Sequence, residues 1–173
     1  KKMRHYGLSE PNVNFHNVLQ EVNDAVFERT DQLDQHLRKI IQQRPEHFRY
    51  LKGNASLLST SEIEVKTDSG SQKVFAENII IATGSRPRKL DTIPFDEKVI
   101  MTSDGISSLK EFPESLVILG AGVIGCEFAT IFSNFGKTSV HLISKDERIL
   151  PFEDEDMALA IEKNLESNGV LIH

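Results

Sequence analysis

Three glycines spaced as GxGxxG are the residues of this sequence with the most specific chemistry. They are Gly120, Gly122 and Gly125, and they directly follow the apolar run Leu116-Val117-Ile118-Leu119, which has the length of a strand. Residues 126–135 contain neither Pro nor Gly and carry apolar side chains at helical spacing. A strand, a glycine turn and a helix in this order place free main-chain N–H groups and the positive end of a helix dipole around an anion. The stretch therefore predicts a pyrophosphate site.

The segments after the glycines supply the context that such a site requires. Gly136 is predicted to end the helix, and Val140-His141-Leu142-Ile143 is typical of a second strand. Gly120 permits a tight bend, Gly122 lets the backbone approach a pyrophosphate, and Gly125 lets the helix pack closely on the strand. A glycine-rich turn that binds nothing is the alternative, but the complete strand–turn–helix–strand pattern favours a dinucleotide site.

Composition indicates an ordinary soluble globular protein. The chain has 173 residues, of which 39% are hydrophobic and 27% charged. A net charge of -6 argues against nucleic acid as a main partner. No apolar run reaches the roughly 18–20 residues of a membrane span, and no apolar signal core follows the basic first residues. We therefore expect a cytoplasmic protein with no nucleic-acid and no membrane partner.

Cysteine and histidine usage argues against disulfides and metal. The single cysteine, Cys126, excludes an internal disulfide framework and fits a reducing compartment. It directly follows Gly125, and we expect a small buried thiol there rather than a catalytic nucleophile, because the sequence shows no activating partner. The six histidines show no metal-ligand spacing, and neither CxxC nor HExxH occurs, so no metal site is predicted.

The chain before the glycine turn divides into a helical and a β-rich part. Residues 12–43 place apolar side chains at steps of three and four, which predicts one long helix closed by Pro45. Because this stripe has no clean heptad, packing on a domain surface is favoured over a coiled-coil arm. Residues 78–81 form an apolar run typical of a strand in a parallel sheet. Short pieces between turn residues predict an antiparallel meander over residues 48–52, 55–59, 62–67 and 72–75.

The remaining segments alternate between strands and helices. After a connector over residues 86–97, residues 99–101 are predicted to form a short strand, and residues 102–104 to cap a brief helix that reaches Leu109. Residues 153–167 are predicted to form a helix with acids in its first turn, and residues 170–172 to open a further strand. Alternation of this kind is typical of an α/β fold with a parallel sheet.

Three sequence blocks, in this order, resemble the FAD-dependent pyridine nucleotide–disulfide oxidoreductases. They are Gly53-Asn54-Ala55, the stretch Ile79-Ile80-Ile81-Ala82-Thr83-Gly84-Ser85-Arg86-Pro87, and residues 120–127 followed by Arg148-Ile149-Leu150-Pro151. The resemblance implies part of an FAD-binding domain in residues 1–111, with a long helix, an antiparallel meander and a parallel strand. It implies the first half of a Rossmann-type NAD(P)-binding domain in residues 112–173. Because only the first half is present, the chain is expected to be an internal fragment of a longer protein.

The resemblance also implies two sets of cofactor-binding residues. The adenosine side of FAD is expected to lie along Ala55, Thr83, Gly84 and Ser85, mostly against backbone groups; a strand-to-loop exit without a ligand is the alternative. Glu127 resembles a carboxylate near the nicotinamide and the flavin and is a tentative catalytic residue; the alternative is a first-turn acid that stabilises the helix dipole. The nicotinamide dinucleotide is expected on Gly120, Ala121, Gly122, Val123, Ile124, Gly125, Glu127 and Ser144.

Ser144 departs from the pattern of NAD-specific sites. Such sites place an Asp or Glu about 20 residues beyond the glycines, where it binds the ribose 2′-hydroxyl. A serine there can hydrogen-bond the ribose, but it has no charge to repel a 2′-phosphate. Lys145 and Arg148 stand nearby in the sequence and are candidates to pair with that phosphate, although a solvated turn is the alternative. We therefore expect the intact protein to accept NADP as well as NAD.

The family pattern implies a hydride transfer between NAD(P)H and FAD. Ser144 favours a soluble NAD(P) transhydrogenase, and a dihydrolipoyl dehydrogenase or related disulfide reductase is the alternative. A non-catalytic nucleotide-binding module, with the long helix as a docking arm, stays open as a third interpretation. By the family pattern, the first glycine turn and any redox cysteine pair belong before Lys1, and a C-terminal dimerisation domain belongs after His173. The chain alone is expected to be inactive and the intact parent to be a homodimer.

Overall fold

The computed structural model describes residues 13–88 and 90–173. They form two compact units, one over Asn23–Arg86 and one made of the described residues up to Val22 together with those from Pro87 onward. The domain boundary between residues 111 and 112 stays a prediction. No helix in the two described ranges has the length and apolar content that a membrane span needs.

Helix α1 (Phe15–Gln43) is the predicted long helix, and its expected start at residue 12 lies outside the described residues. Side-chain pairs one turn apart stabilise its exposed surface, such as Arg38 Nε and Asp34 Oδ2 at 2.7 Å. The expected packing of its stripe on a domain surface is present only at the start of the helix, where the rings of Phe15 and Phe112 lie 4.7 Å apart. No residue of α1 is buried, and Val26 and Phe27 are 60% and 75% exposed. The middle of the stripe is therefore exposed among the described residues.

The predicted antiparallel meander is present as three strands in the order β1 (Asn54–Leu57), β2 (Glu62–Thr67) and β3 (Gly70–Phe75). Thr67 pairs with Gly70 across a two-residue turn, and Gly70 has φ 134°, which only glycine adopts readily. An ion pair of 2.8 Å between Lys73 Nζ of β3 and Glu62 Oε1 of β2 links these two strands. The hydrogen bond and the charge of Glu62 raise the pKa of Lys73.

Two predicted β segments in the unit Asn23–Arg86 are not strands in the structure. Residues 48–52 and 78–81 pair with no strand in the described part of the chain. Ile80 and Ile81 are 91% and 68% exposed, so the expected burial in a parallel sheet is also absent. The reason is that a strand depends on a hydrogen-bonding neighbour more than on its own composition.

The short strand predicted at residues 99–101 is replaced by a loop around the Asp96 carboxylate. Asp96 Oδ1 accepts hydrogen bonds of 2.9 Å from the main-chain N–H groups of Lys98, Val99 and Ile100. These N–H groups are thereby withdrawn from any ladder, and they hold the pKa of Asp96 below its usual value, Lys98 contributing most. The helix predicted to follow is a 3₁₀ helix, Ser103–Ser108, with Thr102 at its N-cap position.

The C-terminal part forms the predicted parallel sheet. Strand β4 (Ser115–Leu119) leads to helix α2 (Val123–Phe135), strand β5 (Ser139–Ile143), helix α3 (Glu155–Ser167) and strand β6 (Leu171–Ile172). The strand order is β4-β5-β6, and both pairings are parallel. The α/β fold class is therefore confirmed, with a long helix, an antiparallel meander and a βαβαβ arrangement.

The hydrophobic core lies on one face of this parallel sheet. Strand β5 contributes Val140 and Leu142, which are 1% and 0% exposed, and they pack with buried residues of both helices. The opposite face carries apolar side chains that stay uncovered, since Val117 and Leu119 of β4 are 56% and 58% exposed. The core therefore fixes the sheet against α2 and α3, and with it the turn between β4 and α2.

Candidate nucleotide-binding site

The turn begins at Gly120, where the chain leaves the parallel sheet. The main-chain N–H of Gly120 donates to the carbonyl of Ile143 at 2.9 Å, which extends the contact between β4 and β5 by one residue. Gly120 then takes φ 110°, a conformation that disfavours any residue with a Cβ. The first glycine of the motif is therefore required by the bend, as predicted.

The third glycine is required by close packing. A Cβ at Gly125 would overlap the main-chain oxygen of Gly120 and lie 3.1 Å from its carbonyl carbon and 3.4 Å from Ile118 Cγ2. Since the obstacle is backbone, no side-chain rotation relieves the overlap. Gly125 thus brings the first turn of α2 against the end of β4.

Gly122 has no such structural requirement. It occupies the N-cap position of α2 with φ -79°, and a Cβ built on it meets no atom within 4 Å. The space that this Cβ would occupy is open and lies at the start of the helix, where the backbone of a dinucleotide turn approaches its ligand. The fold therefore does not require the absence of a side chain at residue 122, and contact of Gly122 with a pyrophosphate stays a prediction.

The helix start provides unpaired donors beside that open space. The N–H of Cys126 makes the first bond of the helix, to the carbonyl of Gly122 at 3.0 Å. The N–H groups of residues 122–125 have no intrahelical acceptor, and no other described residue accepts from them. Val123 and Ile124 are 52% and 57% exposed, so nothing described covers this position. Unpaired donors, the helix dipole and a missing Cβ fit a diphosphate.

A loop after β5 closes on the turn, a contact that the glycine motif alone does not reveal. The main-chain N–H of Leu150 donates to the carbonyl of Ala121 at 2.8 Å, and both residues are 5% exposed. Leu150 takes φ 49°, a left-handed conformation that is unfavourable for leucine. In the sequence, this loop corresponds to Arg148-Ile149-Leu150-Pro151. These residues supported the family resemblance, but no structural role was predicted for them.

Arg148 uses three of its N–H donors within its own loop. Its guanidinium donates to the main-chain carbonyls of Leu150, Pro151 and Glu153 at 3.1, 3.0 and 3.0 Å. Because these bonds direct the guanidinium into its own loop, they argue against the suggested pairing of Arg148 with a phosphate. Lys145 is exposed, and its pairing with a 2′-phosphate stays a prediction.

Ser144 lies where the sequence places it, directly after β5. Its main-chain N–H donates to the carbonyl of His173 at 2.8 Å, and its Oγ accepts from the N–H of Asp146 at 3.1 Å. The hydroxyl thus shapes the tight turn after the strand and keeps its proton free to donate. Contact between Ser144 and a ribose stays a prediction.

Glu127 stands on α2, one turn beyond the glycines, and is exposed. Its side chain lines an open cleft of about 1070 Å³ between α2 and α3, together with Val123, Phe152 and Met157. No described residue pairs with its carboxylate, so the charge is free to face a ligand. Its role near a nicotinamide stays a prediction.

Cys126 is a buried thiol, as expected. It is 5% exposed, and its Sγ lies 3.6 Å from the carbonyl oxygen of Ala121. Burial raises the pKa of the thiol, which therefore stays protonated at neutral pH. Such a group packs under the glycine turn and is a poor nucleophile.

The residues expected along FAD belong to the other compact unit. Ala55 pairs with Val65 between β1 and β2 and is exposed. Thr83, Gly84 and Ser85 are exposed as well, and Gly84 takes φ 70°. Their contact with a flavin nucleotide stays a prediction. Within residues 13–88 and 90–173, no three His, Cys, Asp or Glu side chains converge to hold a metal ion.

Comparison with known proteins agrees with the geometry of this turn. Residues 2–173 match the family model described as pyridine nucleotide-disulphide oxidoreductase. Over 123 residues, the chain is 42% identical to a dihydrolipoyl dehydrogenase of Bacillus subtilis, covering 71% of this chain and 27% of that protein. Over 163 residues, it is 34% identical to a soluble pyridine nucleotide transhydrogenase of Sodalis glossinidius, covering 94% of this chain and 34% of the relative.

A solved structure gives the same result. The fold is similar to that of the HOCl-induced flavoprotein disulfide reductase RclA from Escherichia coli, in a Cu(II) complex, with a TM-score of 0.73 at 30% identity. The match covers 93% of this chain and 35% of that one. The chain thus spans 27 to 35% of the length of these three relatives. It belongs to the pyridine nucleotide-disulphide oxidoreductase family.

Proposed function

We propose that this chain is part of a flavin-dependent oxidoreductase in which a hydride passes between NAD(P)H and FAD. The glycine turn carries the proposal, because its open position at Gly122 and the unpaired N–H groups of residues 122–125 fit a dinucleotide pyrophosphate. The names of the relatives, a dihydrolipoyl dehydrogenase, a soluble pyridine nucleotide transhydrogenase and a flavoprotein disulfide reductase, support the same chemistry.

The residues of this chain would bind and orient the two cofactors. Main-chain groups of the turn hold the diphosphate, and Ser144 donates its hydroxyl to the ribose. Glu127 presents a free carboxylate one turn further along α2, towards the reacting rings. Residues 83–85, with Ala55, hold the adenosine side of FAD through backbone groups. When bound, nicotinamide and flavin supply the hydride chemistry, and the protein supplies position and electrostatics.

The test is the flavin spectrum of the full-length protein. We expect purified full-length protein to be yellow and its flavin band to bleach when NADH or NADPH is added without oxygen. Gly122→Ala is the matched control, which should keep the flavin band and lose the bleaching at the same nucleotide concentration. A colourless full-length protein that still binds NAD would favour the non-catalytic nucleotide-binding module instead.

Among family activities, we propose a soluble NAD(P) transhydrogenase, with dihydrolipoyl dehydrogenase as the second candidate. The observation that favours the first is Ser144, which leaves the strand end without the carboxylate that repels a 2′-phosphate. The intact protein is then a cytoplasmic homodimer that reacts with both NADH and NADPH. A thousandfold preference for NADH would contradict this assignment.

Lys145 is the remaining basic side chain proposed to meet a 2′-phosphate. We expect Lys145→Ala to raise the KM for NADPH by roughly three- to tenfold, because an exposed cation beside a phosphate contributes about 1 kcal/mol. Steady-state kinetics with each nucleotide measure the effect, and the KM for NADH in the same variant is the internal control. Equal changes for NADH and NADPH would show that Lys145 does not recognise the phosphate.

A further inference from the structure

We propose that Arg148 is a positioning residue for the dinucleotide. It locks the loop of residues 150–153 in the conformation that holds Ala121, and so keeps the N–H groups of the glycine turn directed at the pyrophosphate. The inference rests on the proposed function, because it assigns a role within the same nucleotide site.

The guanidinium of Arg148 bonds to the backbone of its own loop. Arg148 is half-buried, and its terminal nitrogens donate to three main-chain carbonyls, those of Leu150, Pro151 and Glu153. The N–H of Glu153 also donates to the carbonyl of Leu150 at 3.0 Å, which closes the same loop from inside. In the described part of the chain, no carboxylate forms an ion pair with Arg148. Its charge is thus directed at the backbone of one loop.

A strained residue, Leu150, lies at the centre of that loop. Leu150 takes φ 49° although it has a Cβ, and such a conformation persists only where the surroundings impose it. Its carbonyl is held by Arg148 and by the N–H of Glu153, while its own N–H is held by Ala121. Releasing the guanidinium would remove one of these restraints and favour a relaxed backbone.

Leu150 connects this loop to the glycine turn through Ala121. Ala121 lies between Gly120 and Gly122, two residues with little steric restraint of their own. The bond from the N–H of Leu150 to the carbonyl of Ala121, 2.8 Å long, is therefore the main-chain contact that fixes the middle of the turn, beside the longer contact of 3.6 Å from Cys126 Sγ to the same carbonyl. The orientation of the peptide after Ala121 sets the direction of the N–H of Gly122, which faces the ligand. A looser loop would leave these donors less well oriented before binding.

The proposal makes no distinction between NAD and NADP. Arg148 donates hydrogen bonds to its own loop and affects the pyrophosphate only through the glycine turn. Both nucleotides have this pyrophosphate. A direct phosphate ligand would affect NADP alone, and a residue that only stabilises the fold would affect neither nucleotide once the protein is folded. These three roles therefore predict different results for the same variant.

The experiment compares the wild-type full-length protein with Arg148→Ala at a temperature where circular dichroism shows both to be folded. Calorimetric titration with NAD+ and with NADP+ should give Kd values raised together by roughly tenfold, since pre-organisation is lost for both. Amide hydrogen exchange at Leu150, whose N–H bonds to the carbonyl of Ala121, should be faster in the variant without nucleotide. Lys163→Ala, which removes an exposed cation on α3, is the control and should change neither quantity.

Arg148→Lys keeps the charge and reaches fewer carbonyls, so it should give an intermediate Kd, and it replaces Arg148→Ala if that variant does not fold. Unchanged affinity and unchanged exchange would overturn the proposal, as would weakening confined to NADP+. If the wild-type protein binds neither nucleotide, the proposed function fails. Exchange at the Leu150 amide then still decides whether Arg148 holds the turn.

Discussion

Gly122→Ala is expected to weaken the binding of NAD+ by at least roughly a hundredfold while changing the free energy of unfolding by less than about 1 kcal/mol. The added methyl group meets no protein atom within 4 Å, and the residue already has φ -79°, which alanine adopts without strain. The cost of alanine at an N-cap is partly offset by its lower entropy in the unfolded chain. The methyl group instead occupies the space through which a pyrophosphate would approach the helix start.

Calorimetric titration with NAD+ and urea denaturation measure the two quantities independently. The combination of a stable fold and lost binding is the informative result, because a general destabilisation would change both. If Gly122→Ala binds NAD+ as tightly as the wild-type protein, the pyrophosphate does not lie at this turn.

Gly125→Ala is expected to show the opposite behaviour and to destabilise the domain by about 2–4 kcal/mol. Its Cβ would overlap the main-chain oxygen of Gly120, and that oxygen is fixed because the N–H of the same residue bonds to Ile143. Helix α2 would have to move away from β4, which opens the core around Ala129 and Leu142. Binding of NAD+ is expected to fall as a consequence of that movement.

Thermal unfolding followed by circular dichroism measures the destabilisation. Gly122→Ala is the matched control, since it makes the same chemical change three residues earlier in the same turn. A melting temperature for Gly125→Ala equal to that of Gly122→Ala would contradict the packing argument.

The sequence predicted the β4–α2–β5–α3–β6 region closely because its signals are local. Apolar runs, glycine stops and the acids at the start of α3 each specify an element within a few residues. Residues 78–81 and 99–101 have equally apolar sequences and are not strands. In the first segment no described strand pairs with the run, and in the second the Asp96 carboxylate takes the N–H groups. Neither condition can be read from the segment itself.

The site was predictable to a similar extent. The three glycines follow from spacing alone. The structure gives separate reasons for Gly120 and Gly125, and the role of Gly122 stays a prediction. The contacts of Arg148 were not predictable, because they depend on three main-chain carbonyls that converge in the folded loop where Leu150 takes φ 49°. Proximity in sequence to Ser144 suggested a phosphate ligand, whereas the folded loop turns the guanidinium to its own backbone.

The uncovered face of the parallel sheet has a practical consequence for work with this segment. Strand β4 stands at one edge of the sheet, and Val117 and Leu119 present their apolar side chains to water beside it. An accessible sheet edge next to exposed aliphatic groups promotes self-association as concentration rises. Expression of these residues by themselves therefore calls for dilute handling or a solubilising fusion partner.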